Sequence, residues 1–131
     1  MKKEELVTAL IDSAERNGVL LTLSATFGPR VHLTVPYSAK AQGVRVETLN
    51  FSVRACNSLL RTGLCTLGDV IQAVESGTLS RIRNLGKRTE NEIKTKILLF
   101  AYEQLTPSEK VQFFNSILEK NPYGGKDENT N

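Results

Sequence analysis

Apolar residues recur at spacings of three and four along Lys3–Asn17 (Leu6, Leu10, Ile11, Ala14) and Gly18 follows them, a pattern that predicts a helix with one packing face. Val19–Thr26 and Val31–Val35 are rich in β-branched residues and leucine, and Phe27-Gly28-Pro29-Arg30 between them is a turn signal, so this region predicts a β-hairpin. Two strands and one helix are marginal alone, so the piece is expected to pack on the rest of the chain or on a second copy. Ser38–Gln42, with Gly43 after it, reads as a linker. The pattern then turns helical. Asn50-Phe51-Ser52 offers caps before Val53–Arg61, Thr66 precedes Asp69–Val74, and Ser76 or Thr78 precedes a short Leu79–Arg83 segment. A long helix is predicted from about Lys87 to Tyr102. Thr106-Pro107 is an N-cap followed by proline at the first helical position, opening a last helix to about Glu119. The polar end beyond it, Pro122-Tyr123-Gly124-Gly125 onward, is expected to be disordered. The predicted class is mainly α: a compact helical bundle with a small N-terminal helix and β-hairpin. The predicted organisation is an appendage over 1–42, a helical domain over 43–120 and a tail over 121–131.

Composition narrows the class of function. At 131 residues, 40% apolar and 24% charged, the protein has the size and make-up of one globular domain. Its apolar runs are far too short to span a bilayer, and the opening Met1-Lys2-Lys3-Glu4-Glu5 lacks the apolar core of a secretory signal; a cytoplasmic location and no membrane partner are expected. Two cysteines and one histidine make neither a disulfide framework nor a zinc site, so no metal and no cofactor are predicted. The net charge of +3 is unevenly spread. Residues 51–98 carry eight Lys/Arg against four Asp/Glu, while residues 99–131 carry three against five. A basic middle suits an anionic partner; the plainer reading is a solvated surface that leans positive.

Two constellations give that charge a geometry. At about 100° per residue, Val53, Cys56, Leu59 and Leu60 fall on one side of their helix, and Arg54, Asn57, Ser58 and Arg61 share roughly a third of the circumference opposite. Guanidinium forks beside an amide and a hydroxyl are groups that bind phosphate or reach into a groove, although an ordinary amphipathic helix shows the same pattern. The second constellation is Asn84-Leu85-Gly86-Lys87-Arg88-Thr89. A glycine at a helix start leaves the first-turn N–H groups facing outward, a setting that attracts phosphate. Lys87 and Arg88 stand where the helix dipole disfavours cations, which an external anion would explain; Glu90 and Glu92 can offset them from within. No catalytic set is seen. His32 is isolated on a predicted strand, Cys56 is a core candidate, Cys65 has no partner motif, and Asp69, Glu75, Glu90 and Glu92 lack catalytic pairing, so no enzyme activity is predicted.

Leu49-Asn50-Phe51-Ser52-Val53-Arg54-Ala55-Cys56-Asn57-Ser58-Leu59, Leu67-Gly68-Asp69-Val70 and Asn84-Leu85-Gly86-Lys87-Arg88-Thr89-Glu90-Asn91-Glu92-Ile93-Lys94 resemble, in order and spacing over about residues 47–98, the C-terminal domain of the bacterial RNA polymerase α subunit. Ala55 and Ser58 stand where relatives often show Ser and Cys. The resemblance implies a compact fold of helix-hairpin-helix character that binds the minor groove of AT-rich DNA. It implies that Arg54 enters the groove, that Asn57, Ser58, Gly86, Lys87, Arg88 and Thr89 contact the backbone, and that Glu92 lies near the DNA edge; Arg61 is a candidate additional contact. Residues 1–46 are too few for the α-subunit assembly domain, so the protein is expected not to nucleate polymerase. The expected function is DNA binding in transcription. Candidate partners are AT-rich duplex, RNA polymerase, a σ factor or a transcription regulator, with a homodimer as a candidate assembly. The alternative is a protein-interaction module of the same fold with little DNA binding, and fold alone does not choose between them.

Overall fold

The computed structural model describes residues 2–36 and 39–121. The tail predicted to be disordered lies, from Pro122 on, outside the described residues, as does Ser38 of the predicted linker. Among the described residues six α-helices follow one another: α1 Lys3–Asn17, α2 Val19–Phe27, α3 Val53–Arg61, α4 Leu67–Glu75, α5 Lys87–Glu103 and α6 Pro107–Lys120. Single 3₁₀ turns occupy Val46–Thr48 and Leu79–Arg81. Among the described residues there is no strand, only an isolated antiparallel bridge between Arg45 and Thr66. The protein divides into two compact units, one formed by residues 1–34 with 105–131 and the other by residues 35–104.

The first unit corrects the predicted hairpin. Val19–Phe27 is a helix, and its buried residues Val19, Thr22 and Leu23 recur at helical spacing. Its β-branched content suggests a strand, but an apolar side with this period buries better as a helix against α1, where Ser13 and Thr22 share a hydroxyl–hydroxyl bond of 2.8 Å. Gly18 and Gly28, both in the left-handed region at φ 94° and 87°, end the neighbouring helical segments instead of framing a strand. Residues 31–36 form neither helix nor strand. The side-chain amide of Asn121 holds this segment: it accepts from the His32 N–H and donates to the His32 carbonyl, both at 2.7 Å. Helix α6 packs on α1 through its buried side, Phe113, Phe114 and Ile117. The last helix therefore belongs with the N-terminal helices, not with the central domain drawn from the sequence as 43–120.

In the second unit α3 and α4 both pack on α5, and Val46, Ala55, Leu59, Val70, Ile93 and Ile97 are fully enclosed. Ser52 and Thr66 cap α3 and α4 by accepting from the N–H groups of Ala55 and Asp69, and the Asp69 carboxylate accepts in return from the Thr66 N–H. The predicted linker is in part structural. Ala41 is in the core, and the Gln42 and Val44 carbonyls accept from the N–H groups of Gly68 and Leu67 at 2.9 and 2.8 Å. That approach requires the glycine: a Cβ on Gly68 would stand 2.5 Å from Cγ of Gln42.

Because this core is made wholly of residues from within 35–104, a fragment of those residues should unfold cooperatively on its own in urea, followed by circular dichroism. A fragment beginning at residue 43 but keeping α6 strips that helix of α1, and should bind more of the dye ANS than the 35–104 fragment. A gradual, non-cooperative loss of signal from the 35–104 fragment contradicts this division.

Candidate nucleic-acid interface

Helix α3 is short, and its two sides are sharply different. Ala55, Ser58 and Leu59 are buried, while Val53, Arg54, Asn57 and Arg61 are exposed. Two residues lie on the side opposite to the one their sequence pattern predicts. Val53, expected in the core, is 77% exposed, because it is the first helical residue and lies on the same side as Asn57. Ser58, expected on the polar side, is only 5% exposed, beside Ala55 and Leu59 on the packing side. What remains outward is a compact set: Arg54, Asn57 and Arg61 lie within roughly 60° of one another around the axis.

Helix α5 begins differently from its neighbours. Asn84 and Gly86 both take left-handed backbone, at φ 62° and 79°, and so turn the chain sharply into the helix. Gly86 has no side chain with which to cap, in contrast to Ser52 and Thr66. The first turn is thus left with N–H groups that no cap satisfies, beside exposed Lys87 and Arg88. Thr89, expected to be a surface contact, is 6% exposed and faces inward. Glu90 is also buried. Its carboxylate pairs with Lys94 at 2.9 Å and with Lys87 at 3.8 Å, and the Lys94 bond, against the cost of burial, holds its pKa below the usual glutamate range.

Glu92 ties the two helices together. Its carboxylate accepts from the Ser52 N–H at 2.7 Å and the Ser52 hydroxyl at 2.8 Å. Lys96 donates to it at 3.3 Å and also donates to the Asn50 carbonyl. The Ser52 hydroxyl oxygen in turn caps α3. Partial burial opposes ionisation of Glu92, but the two Ser52 bonds and the Lys96 ammonium outweigh it, and its pKa is lowered. So α3 starts beside the second turn of α5. Its far end, Arg61 and Thr62, shares a cleft with Ile82, Arg83 and Asn84 in the turn leading into α5. The turn into α5 thus lies beside the end of α3, and Arg54, Arg61, Arg83, Lys87 and Arg88 are exposed on these elements. Arg54, Arg61, Arg83 and Arg88 have no ion-pair partner among the described residues. Of the residues singled out from the sequence, Arg54, Asn57, Arg61, Gly86, Lys87 and Arg88 are exposed. The sequence pattern does not point to Ser52 and Lys96 as partners of Glu92, nor to Arg83, whose turn position carries no periodic signal.

These elements coincide with a known sequence family. Residues 36–98 match the family described as the C-terminal domain of the bacterial RNA polymerase alpha subunit. The match lies within the second unit and takes in α3, α4 and most of α5, leaving α1, α2 and α6 outside it. Among curated relatives, the DNA-directed RNA polymerase subunit alpha of Corynebacterium diphtheriae is 44% identical over 57 residues, 44% of this protein and 17% of the relative. That of Symbiobacterium thermophilum is 31% identical over 70 residues, 53% of this protein and 22% of the relative. The alignments thus span about a fifth of these relatives' length. No solved structure matches the sequence. No helix among the described residues is long and apolar enough to cross a membrane.

The Glu92 clamp gives a signed pH dependence. A carboxyl whose pKa is lowered by folding stabilises the fold above its unfolded pKa, and that contribution fades as pH falls through the folded value. Glu92→Gln should therefore cost about 1–2 kcal/mol at neutral pH, from the lost charged hydrogen bonds. The gap from the parent protein should close as pH drops below the usual glutamate range. Urea unfolding at a series of pH values checks it; a gap that stays constant with pH means the Glu92 charge does not contribute.

Proposed function

We propose that the second unit binds duplex DNA in the setting of transcription, with Arg54 entering an AT-rich minor groove while Lys87, Arg88 and the start of α5 hold backbone phosphates. Asn57 and Gly86 contact the same backbone. The observation that carries this reading is the set of cationic side chains on α3 and around the start of α5, four of them without an ion pair among the described residues, within the family match. Lys87 does pair with Glu90, but its side chain is mostly exposed and a pair at 3.8 Å in water is weak enough to give way to a phosphate. The helix pairs joined around Gly63 and Gly86, both left-handed, are read as helix-hairpin-helix units. RNA polymerase, or a regulator acting with it, is the protein partner this reading implies, and the cytoplasm the compartment.

A surface of this size neutralises about three to five phosphates, so one copy should bind weakly, with Kd of about 10⁻⁴ to 10⁻⁶ M at physiological salt and a log–log salt slope of about −3 to −4.5. Tethering to polymerase or self-association would raise occupancy. Arg54 and Lys87 should separate shape reading from charge. Arg54→Ala should weaken AT-rich binding strongly and shrink the preference over GC duplex. Lys87→Ala should weaken both duplexes alike and reduce the slope by about one unit. Both residues are exposed, so thermal stability should move by less than about 0.5 kcal/mol. Fluorescence anisotropy on both duplexes at several salt concentrations is the measurement. If both variants bind DNA as the parent does but lose a protein partner, the interaction-module reading replaces this one.

A further inference from the structure

The cleft between the end of α3 and the turn into α5 has a volume of about 310 Å³ and is lined by Arg61, Thr62, Ile82, Arg83 and Asn84. Two exposed guanidinium groups from different segments therefore border one concavity, with no carboxylate among the lining residues and no ion-pair partner for either among the described residues. Such an arrangement places like charges together in the free protein and is relieved by an anion seated between them. The planar fork of arginine matches phosphate oxygens bidentately, which makes a pair of them a clamp and not merely a source of charge.

We propose that this cleft is a second phosphate seat, in which Arg61 and Arg83 together hold one phosphodiester of the duplex; the proposal rests on the DNA-binding reading above. The spacing selects this ligand. Arg54 and Arg61 are seven residues apart on one side of α3, about 10 Å along its axis. A minor groove is roughly 6 Å wide, so with Arg54 in the groove the end of α3 lies over the flanking sugar–phosphate backbone. Asn84, at φ 62°, turns the chain just after Arg83, so the second guanidinium comes from the same sharp turn that starts α5. The seat carries no base information, because it touches backbone alone.

The test is a double-mutant cycle in the 131-residue protein: Arg61→Gln, Arg83→Gln and the double variant, each titrated with AT-rich and GC duplexes at several salt concentrations. Each single change should weaken both duplexes by about three- to tenfold and leave the AT preference intact. The double variant should lose less than the product of the two, with the salt slope reduced by about one unit, since the two side chains share one phosphate. An Arg61→Lys and Arg83→Lys pair, which keeps the charge, should restore most of the slope; failure to restore it assigns the loss to altered structure and overturns the seat. Unchanged affinity in both single variants, with the unaltered protein binding normally, overturns the seat and leaves the DNA reading standing. Multiplicative losses with a slope change near two units mean two separate phosphates, which also overturns the shared seat. Absence of duplex binding by the unaltered protein overturns the reading and the seat together.

Discussion

The hydrogen bonds from Ser52 to the Glu92 carboxylate are the constraint on which the presentation of the basic surface depends. Helix α3 has nine residues and would not hold together in isolation. Ala55 and Leu59 bury one side of it, but burial alone leaves its start free to fray. Glu92 fixes that start from a neighbouring helix, and Lys96 holds both the carboxylate and the Asn50 carbonyl that precedes it. The residue two positions after Ser52 is Arg54. A guanidinium on so flexible a side chain gains precision mainly from the rigidity of the backbone beneath it, and here that backbone is tied to α5 at its cap.

Helix α5 meets the opposite problem at its own start, where Lys87 and Arg88 oppose the helix dipole. Buried Glu90 compensates from within the first turn, pairing with Lys94 behind it and Lys87 in front. The arrangement keeps the outer cations exposed while the fold itself remains neutralised inside. Glu92 and Glu90 thus act differently although only two residues apart, the first positioning α3 and the second stabilising the start of α5. Neither is arranged as a group that meets an anion, so in the DNA-binding reading Glu92 serves the DNA edge by holding α3, not by a contact of its own.

Much of this is legible in the sequence. Helices α1, α3, α5 and α6 follow from apolar spacing and from capping residues such as Ser52 and Thr106, because those signals are local. Val19–Phe27 misleads because a run of valine, leucine and threonine satisfies strand propensity and helix period equally; what decides it is the apolar side of α1, which lies elsewhere in the sequence. Ser58 and Val53 exchange sides for a related reason: a nine-residue helix shows its residue types, but the orientation of its packing side is set by α5. The partners of Glu92 include one 40 residues away, and Arg83 enters only because a turn brings it to the cleft that Arg61 also lines. Long-range placement of this kind has no local periodicity to announce it.

In the DNA-binding reading an anionic duplex meets one edge of the second unit, formed by α3 and the start of α5, and leaves the first unit untouched. The most direct measurement is a titration of the ¹⁵N-labelled protein with a short AT-rich duplex, followed amide by amide by NMR. Progressive shifts confined to residues 52–62 and 82–89 are expected, in fast exchange as befits a weak complex, with amides of α1, α2 and α6 unmoved. Shifts concentrated in α1, α2 or α6, or none anywhere at millimolar duplex, would contradict this reading.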